Sequence, residues 1–155
     1  MTAPPTPHIG MSLPKLDIPI TRKLVSMGAA ASRDWQPQHH DPDWARDAGL
    51  PDIIMNNYTQ AGLISRFVTD WSGPSGRIGR LRFSMRRPVC PGGTAKFRGM
   101  VVDISAEVDA MTWVEIDIEI SLDDTRATTA TVRLALPATA RSRSPWHCPA
   151  VKWRP

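Results

Sequence analysis

Apolar residues recur at steps of three and four from Ile54 through Tyr58, Ala61, Ile64, Val68 and Trp71, with Leu63 and Phe67 widening the stripe. That period predicts an α-helix over 58–71 with a narrow polar band of Thr59, Arg66 and Asp70. So apolar a helix must be covered on most sides, and a curved sheet is broad enough to do it. The chain that follows supplies strands. Residues 77–85 alternate Leu81, Phe83 and Met85 against Arg80, Arg82 and Ser84, and a Pro-Val-Cys-Pro-Gly-Gly corner then leads into 95–104. Residues 113–122 set Val114, Ile116, Ile118, Ile120 and Leu122 against Glu115, Asp117 and Glu119. A last strand over 129–136 turns Val132, Leu134 and Leu136 inward and stops at Pro137. One long helix against antiparallel strands that mostly follow it in sequence is the plan of an α+β domain.

Upstream, 15–22 (KLDIPITR) places Leu16, Ile18 and Ile20 on one face of a short strand, and Pro19 assigns it to an edge or bend. The next ten residues (KLVSMGAAAS) are small and apolar, compatible with helix or extended chain. Residues 33–43 (RDWQPQHHDPD) carry too much proline and charge for a regular helix or a central strand. Pro42 then opens a short helix over 42–48, ended by Gly49, that should bury Trp44. Asn57 with Gln60 three residues on has the form of a capping box for the long helix. The expected organisation is a mobile Pro- and Thr-rich arm over 1–14, one domain over 15–137, and a basic tail over 138–155 that lacks any period and should be disordered or loosely attached. There is no internal repeat.

Charge changes the picture only after it is located. The net charge is +4 and the pI about 9.6. Four of the nineteen Lys and Arg residues (Arg141, Arg143, Lys152, Arg154) lie in the acid-free tail, which leaves the preceding chain with fifteen bases against all fifteen acids. A neutral body argues against nucleic acid, which requires a basic face on the domain itself. Two cysteines, Cys90 and Cys148, make neither a disulfide framework nor a metal-ligand spacing, so no metal is expected and a reducing compartment fits. Five prolines in the first twenty residues oppose a signal peptide, and no apolar run has the length of a membrane span. A soluble, cytoplasmic protein is expected.

Chemistry concentrates in the 33–43 loop. Asp34 and His39 lie five positions apart in a segment free to aim both at one point, and reference pKa values of roughly 4 and 6.5 suit such a pair to holding a water and moving its proton near neutral pH. His40 is the weaker imidazole, and Asp41 suits the cap of the short helix. An arbitrary Asp and His at this separation is more often a helix cap beside a surface histidine. A second signal is a run of seven bases without an acid between Ser72 and Val102, including Arg77, Arg86, Arg87, Lys96 and Arg98. It reads equally as a rim for phosphates, which guanidinium groups grip in pairs, or as an outer strand face kept from edge pairing by charge.

The run D-W-Q-P-Q-H-H-D over 34–41 resembles the signature of the MaoC-like (R)-specific enoyl-CoA hydratases and dehydratases: Asp, any, Asn, Pro, any, His, any, Asp. The likeness continues through DPDWARDAGLPDII and AGLISRFVTDWSGP and covers roughly 16–136. It implies a hotdog fold, a sheet wrapped around one long helix, working as a dimer of such units. It also implies reversible hydration of a trans-2-enoyl-CoA to a (3R)-hydroxyacyl-CoA, with Asp34 and His39 positioning the water and no cofactor beyond the coenzyme A of the substrate. Its phosphates would meet Arg77, Arg86, Arg87, Lys96 or Arg98. Two positions depart from the pattern. Gln36 replaces the Asn before Pro, and Asn56-Asn57 stands where the family usually has His-Gly at the start of the central helix. The Asn57 backbone N–H remains able to serve as oxyanion donor there, helped by the helix N-terminus, with Asn56 and the Asn57 side chain positioning substrate. A similar asparagine-bearing stretch occurs in small hydratase subunits of actinobacterial steroid side-chain degradation. That narrower likeness implies a homodimer or a heteromer with a second MaoC-like chain, one bearing an OB and zinc-ribbon domain.

Two other classes compete. A hotdog thioesterase would carry its acid on the central helix, where only Asp70 at the far end is available. A non-catalytic subunit would need neither Asp34 nor His39, whereas the departures at Asn56-Asn57 would suit it.

Overall fold

The computed structural model describes residues 6–108, 110–139 and 141–155. A short strand β1 (Leu16–Pro19) and helix α1 (Arg22–Ala31) precede a 3-10 turn (Pro37–His39), helix α2 (Pro42–Asp47) and the long helix α3 (Asn57–Ser72). Four strands follow: β2 (Arg77–Met85), β3 (Thr94–Val108), β4 (Met111–Leu122) and β5 (Thr125–Pro137). They form one five-stranded sheet in the order β1-β3-β4-β5-β2, with every neighbouring pair antiparallel.

α3 is held because its apolar stripe and the inner face of the sheet bury each other. Ile64, Phe67 and Val68 meet Phe97, Val101, Val114, Ile116, Ile118, Val132 and Leu134, all nearly or wholly removed from solvent. The Phe67 and Phe97 rings lie tilted with centroids 5.8 Å apart. Burying a side chain of this size contributes about 1.5–3 kcal/mol, so this layer dominates the stability of the fold. The undecided segment after β1 is helical. Thr21 caps it by accepting the Leu24 N–H at 3.0 Å, and Gly28 lets it approach α3, since a Cβ there would stand 2.2 Å from the Thr59 hydroxyl.

Several expectations need correction. Trp44 is 43% exposed, because α2 is short and turns the buried Ala45 inward instead. Tyr58, at the first turn of α3, is 63% exposed. β5 starts at Thr125, four residues early, and a bulge opposite Ile120 and Ser121 buries both Ala127 and Thr128. The arm is not loose over its described part: Gly10 and Leu13 donate to the Val101 and Gly99 carbonyls, and Leu13 is buried. Residues 1–5 of the arm and Ala140 of the tail lie outside the described residues.

The tail packs as well. Two 3-10 turns (Pro145–His147 and Ala150–Lys152) fold it onto the outer face of the sheet. There Trp153 stacks on Trp113 with ring centroids 4.8 Å apart, Arg77 lies 3.8 Å over the Trp153 ring, and Trp146 Nε1 donates to the Gly76 carbonyl at 3.0 Å. Proline and tryptophan, rather than a periodic pattern, carry this docking.

Candidate active site

Asp34 is placed by the way α1 ends. Arg33 takes the left-handed conformation (φ 57°). Its N–H then donates to Ala30 O at 3.1 Å and that of Asp34 to Ala29 O at 2.9 Å, the paired bonds that close a helix. Only glycine adopts this conformation freely, and an L-residue costs about 1–2 kcal/mol there. The turn aims the half-buried Asp34 carboxylate at the start of α3.

His39 closes the 3-10 turn that Pro37 opens, and is 4% exposed. Its Nδ1 lies 2.7 Å from the carbonyl oxygen of Ile54. A carbonyl can only accept, so Nδ1 carries the hydrogen and Nε2 faces the other way. There it meets Asp34 Oδ2 at 3.3 Å and the side-chain amide of Gln38 at 3.3 Å. Ile54 is itself anchored by its N–H, which donates to the Gln38 carbonyl at 2.9 Å, and just before it Asp52 accepts from the Ile53 N–H at 2.7 Å and from Arg22 of α1 at 2.8 Å. The Arg22 guanidinium holds the Asp52 carboxyl below the usual carboxylate range.

At the head of α3 the cap is Asn56, not Asn57. Asn56 Oδ1 accepts from the Thr59 N–H at 2.9 Å and the Thr59 hydroxyl at 2.6 Å, while its Nδ2 donates to Ser32 Oγ at 2.7 Å and Asp34 Oδ2 at 3.1 Å. One buried amide thus caps the helix and grips the Asp34 carboxylate. Asn57 is the first helical residue, and its side chain accepts from the Tyr58 N–H at 2.9 Å. Gln60 closes no capping box. It is 3% exposed, and its Oε1 accepts from the buried Thr128 hydroxyl at 2.7 Å.

These groups border a cavity of about 400 Å³ lined by Asp34, Gln36, His39, Asn56, Asn57, Gln60 and Met85, with Arg86 and Arg87 at its rim. Asp34 Oδ2 and His39 Nε2 face each other across 3.3 Å, with the Asn56 amide donating to the first and the Gln38 amide beside the second. A water bridging the two would be oriented by both and could give its proton to either. A larger depression, about 670 Å³, lies on the outer face of the sheet, where Arg126 pairs with Glu119 and Arg98 with the neighbouring Asp17. Volume alone does not mark the site.

Of the sequence candidates, Asp34, His39, Asn56, Asn57, Arg86 and Arg87 come together. Arg77, Lys96 and Arg98 do not. Arg77 is stacked under Trp153 on the outer face, and Lys96 and Arg98 pair with Asp124 and Asp17, each at 2.6 Å. Strand alternation and the β2–β3 connection disperse bases that are close in sequence. His40 is exposed, and Asp41 caps α2. Asp70 pairs with Arg66 at the far end of α3. Burial pushes the Cys90 thiol up, away from reactivity. Ser32, Gln38, Gln60 and Thr128 were not foreseen as site residues. The one available signal was a glutamine lying one helical turn beyond Asn56, on an apolar helix.

The model of the family described as "MaoC like domain" matches residues 6–122. The 3-oxo-4,17-pregnadiene-20-carboxyl-CoA hydratase beta subunit of Mycobacterium tuberculosis is 34% identical over 128 residues, 83% of this chain and 95% of that protein. Among solved structures, the ChsH1-ChsH2 complex from M. tuberculosis superposes with a TM-score of 0.76 at 31% identity, covering 84% of this chain and 99% of the matched chain. The (R)-hydratase from A. caviae involved in PHA biosynthesis superposes with a TM-score of 0.76 at 20% identity, covering 85% and 98%, and bears on the fold alone. Both superpose over an antiparallel sheet around one helix. Among the described residues, no helix is long and apolar enough to cross a membrane.

Proposed function

Because this chain belongs to the MaoC-like domain family, we propose that it adds water reversibly across the double bond of a trans-2-enoyl-CoA, with Asp34 and His39 as its acid/base pair. The observation that carries this reading is the 3.3 Å approach of Asp34 Oδ2 to His39 Nε2 beside the N-terminus of α3. A water held by both loses a proton to the pair as its oxygen bonds to C3. The π electrons move through C2 onto the thioester oxygen, where the Asn57 N–H and the helix N-terminus favour the developing charge. The enolate then collapses, C2 takes a proton from the pair, and the net change is one water gained. No cofactor takes part beyond the coenzyme A of the substrate, whose phosphates have Arg86 and Arg87 at the rim.

The M. tuberculosis relative supports a pregnadiene-type, steroid side-chain acyl group and a role as one subunit of a heteromer with a second MaoC-like chain. A thioesterase is disfavoured because Asp70, the only acid on α3, is remote from the cavity and paired. Hydration of steroid and short linear enoyl-CoA substrates, followed at the conjugated enoyl band with the chain alone and with a second MaoC-like chain, tests this. Asp34→Asn and His39→Ala should each lower the rate at least about a hundredfold. Near-normal hydration by both variants, or free thiol released from saturated acyl-CoA, would overturn the assignment.

A further inference from the structure

We propose that Gln60 is a second oxyanion donor, its side-chain amide joining the Asn57 backbone N–H on the thioester oxygen. The inference rests on the hydration reading and adds a substrate-contacting residue to it.

Gln60 is an exception to its surroundings. It lies on the helix that fills the sheet, is 3% exposed, and borders the same cavity as Asp34 and His39. Leaving such an amide buried without full hydrogen bonding costs about 1–3 kcal/mol, so an apolar residue would be the ordinary choice for a helix with only a packing role. Its orientation follows from the acceptor-only thioether of Met85: the amide atom 3.2 Å from Sδ is the donor Nε2, which leaves Oε1 to accept from the fully buried Thr128 hydroxyl at 2.7 Å. That nitrogen carries two hydrogens, and its partner among the described residues is Met85 Sδ at 3.2 Å. A thioether is a weak acceptor, and Met85 is itself 49% exposed at the end of β2. The amide therefore keeps donor capacity toward the cavity, and a carbonyl oxygen is a stronger acceptor than the sulfur.

Helix geometry places this donor beside the other one. Residues 56, 57 and 60 share one face of α3, and a long helical side chain leans over the turn preceding its own Cα, so the Gln60 amide reaches back toward Asn57. The amides of Tyr58 and Thr59 are taken by the Asn57 and Asn56 side chains, and that of Gln60 by the Asn56 carbonyl. The Asn57 N–H has no acceptor among the described residues. Asn56, which grips Asp34, stands roughly one turn, about 6 Å, from Gln60 along the helix. An enoyl thioester laid across this span has C3 at the acid/base pair and its oxygen between the two donors.

The test uses Gln60→Met, which keeps the side-chain length and removes the donor, in whichever form of the protein hydrates, alone or with its second chain. kcat should fall about a hundredfold, the loss for one oxyanion donor, while KM moves little. Gln60→Glu should be poor at neutral pH and recover relative to the parent as pH falls, because a protonated carboxyl donates where a carboxylate cannot. A merely structural role would not give that profile. The direct readout is the enoyl absorption band of a 2-enoyl-CoA bound at saturation to Asp34→Asn, which does not depend on turnover. Donation to the carbonyl shifts the band to the red, and adding Gln60→Met should reduce that shift. An unchanged kcat or an undiminished red shift in Gln60→Met overturns this role while leaving the hydration reading intact. Absence of hydration in the parent, or near-normal hydration by both Asp34→Asn and His39→Ala, defeats the hydration reading, and absence of any red shift at saturation defeats both.

Discussion

The two faces of the sheet each gather polar and aromatic side chains at one end, and they dispose of them differently. On the outer face Arg77 lies between the Trp153 and Trp146 rings and donates to the Pro145 carbonyl at 3.3 Å, Trp146 donates to Gly76, and Ser144 donates to Ser75 at 3.0 Å. These contacts close on themselves. On the helix side Asn56, His39 and Gln60 are each fixed through one end, to Thr59, Ile54 and Thr128, and each turns its other end to Asp34 or the cavity. A cluster whose hydrogen bonds are all internal contributes stability. One anchored through half of its atoms is rigid where it is held and keeps polar atoms for a ligand where it is not, which is the arrangement the proposed acid-base chemistry requires.

The sharpest way to break this contrast is at Asn56, which belongs to both categories. Asn56→Asp is nearly isosteric and keeps the oxygen that accepts from Thr59, so the helix cap survives. The donor to Asp34 is lost and a second carboxylate is brought against the first, which raises the cost of ionising either. Hydration at neutral pH should fall about a hundredfold with helical circular dichroism unchanged. If activity survives while the thermal midpoint drops, Asn56 acts only as a cap, and the helix-side cluster differs from the outer one in position alone.

The outer cluster should give the opposite result. Trp153→Ala removes one aromatic pair and one cation–π contact, together about 1–2 kcal/mol, and for a chain of this size should lower the thermal midpoint by a few degrees with hydration unaltered. Gly79→Ala probes the same docking from the strand. A Cβ there would meet Pro155 and the Trp113 ring, both at 2.6 Å, so the tail must lift and the Trp113 ring that it stacks on must shift. Its cost should overlap that of Trp153→Ala, and the double variant should be little worse than either alone. Full additivity would mean that Gly79 and Trp153 act independently and that the tail is not docked as one piece.

This contrast also explains what the sequence disclosed. The core stripe of α3 and the alternation of β4 follow directly from burial, and both are readable because one period governs many residues. The Asp34-to-His39 spacing was legible because a proline-bearing loop isolates it. The capping residue was misjudged by one position, since Asn56 and Asn57 are equally good caps in isolation and only the contact to Asp34, across 22 residues, selects the first. The bases between Ser72 and Val102 left a phosphate rim and a charged outer strand face equally open because sequence proximity conceals strand direction; of them, only Arg86 and Arg87 line the cavity. The tail was misread because its order comes from three tryptophans and the cation of Arg77, none of which leaves a period.

The smallest expected effect lies at the join that steadies the helix-side cluster from behind. Arg22 and Asp52 tie α1, which leads to Asp34, to the segment whose Ile54 carbonyl fixes His39. The pair is partly exposed, with 56% of the Arg22 side chain in solvent, so its contribution is modest and screened by salt. Its sign with pH is set by the Asp52 carboxyl, which the Arg22 guanidinium and the Ile53 N–H hold below its ordinary value despite an opposing contribution from burial. A depressed folded-state pKa adds stability above the unfolded value, near 4, that is lost as pH falls through the folded value. Asp52→Asn should therefore melt slightly below the parent at pH 7, and the gap should close under acid. Because this join sits behind Asp34 and His39 and contacts neither side chain, the same variant should change the KM and kcat of the proposed hydration only a few-fold. A loss approaching that of Asn56→Asp would mean that the geometry of Asp34 and His39 is set from the α1 side rather than by the head of α3.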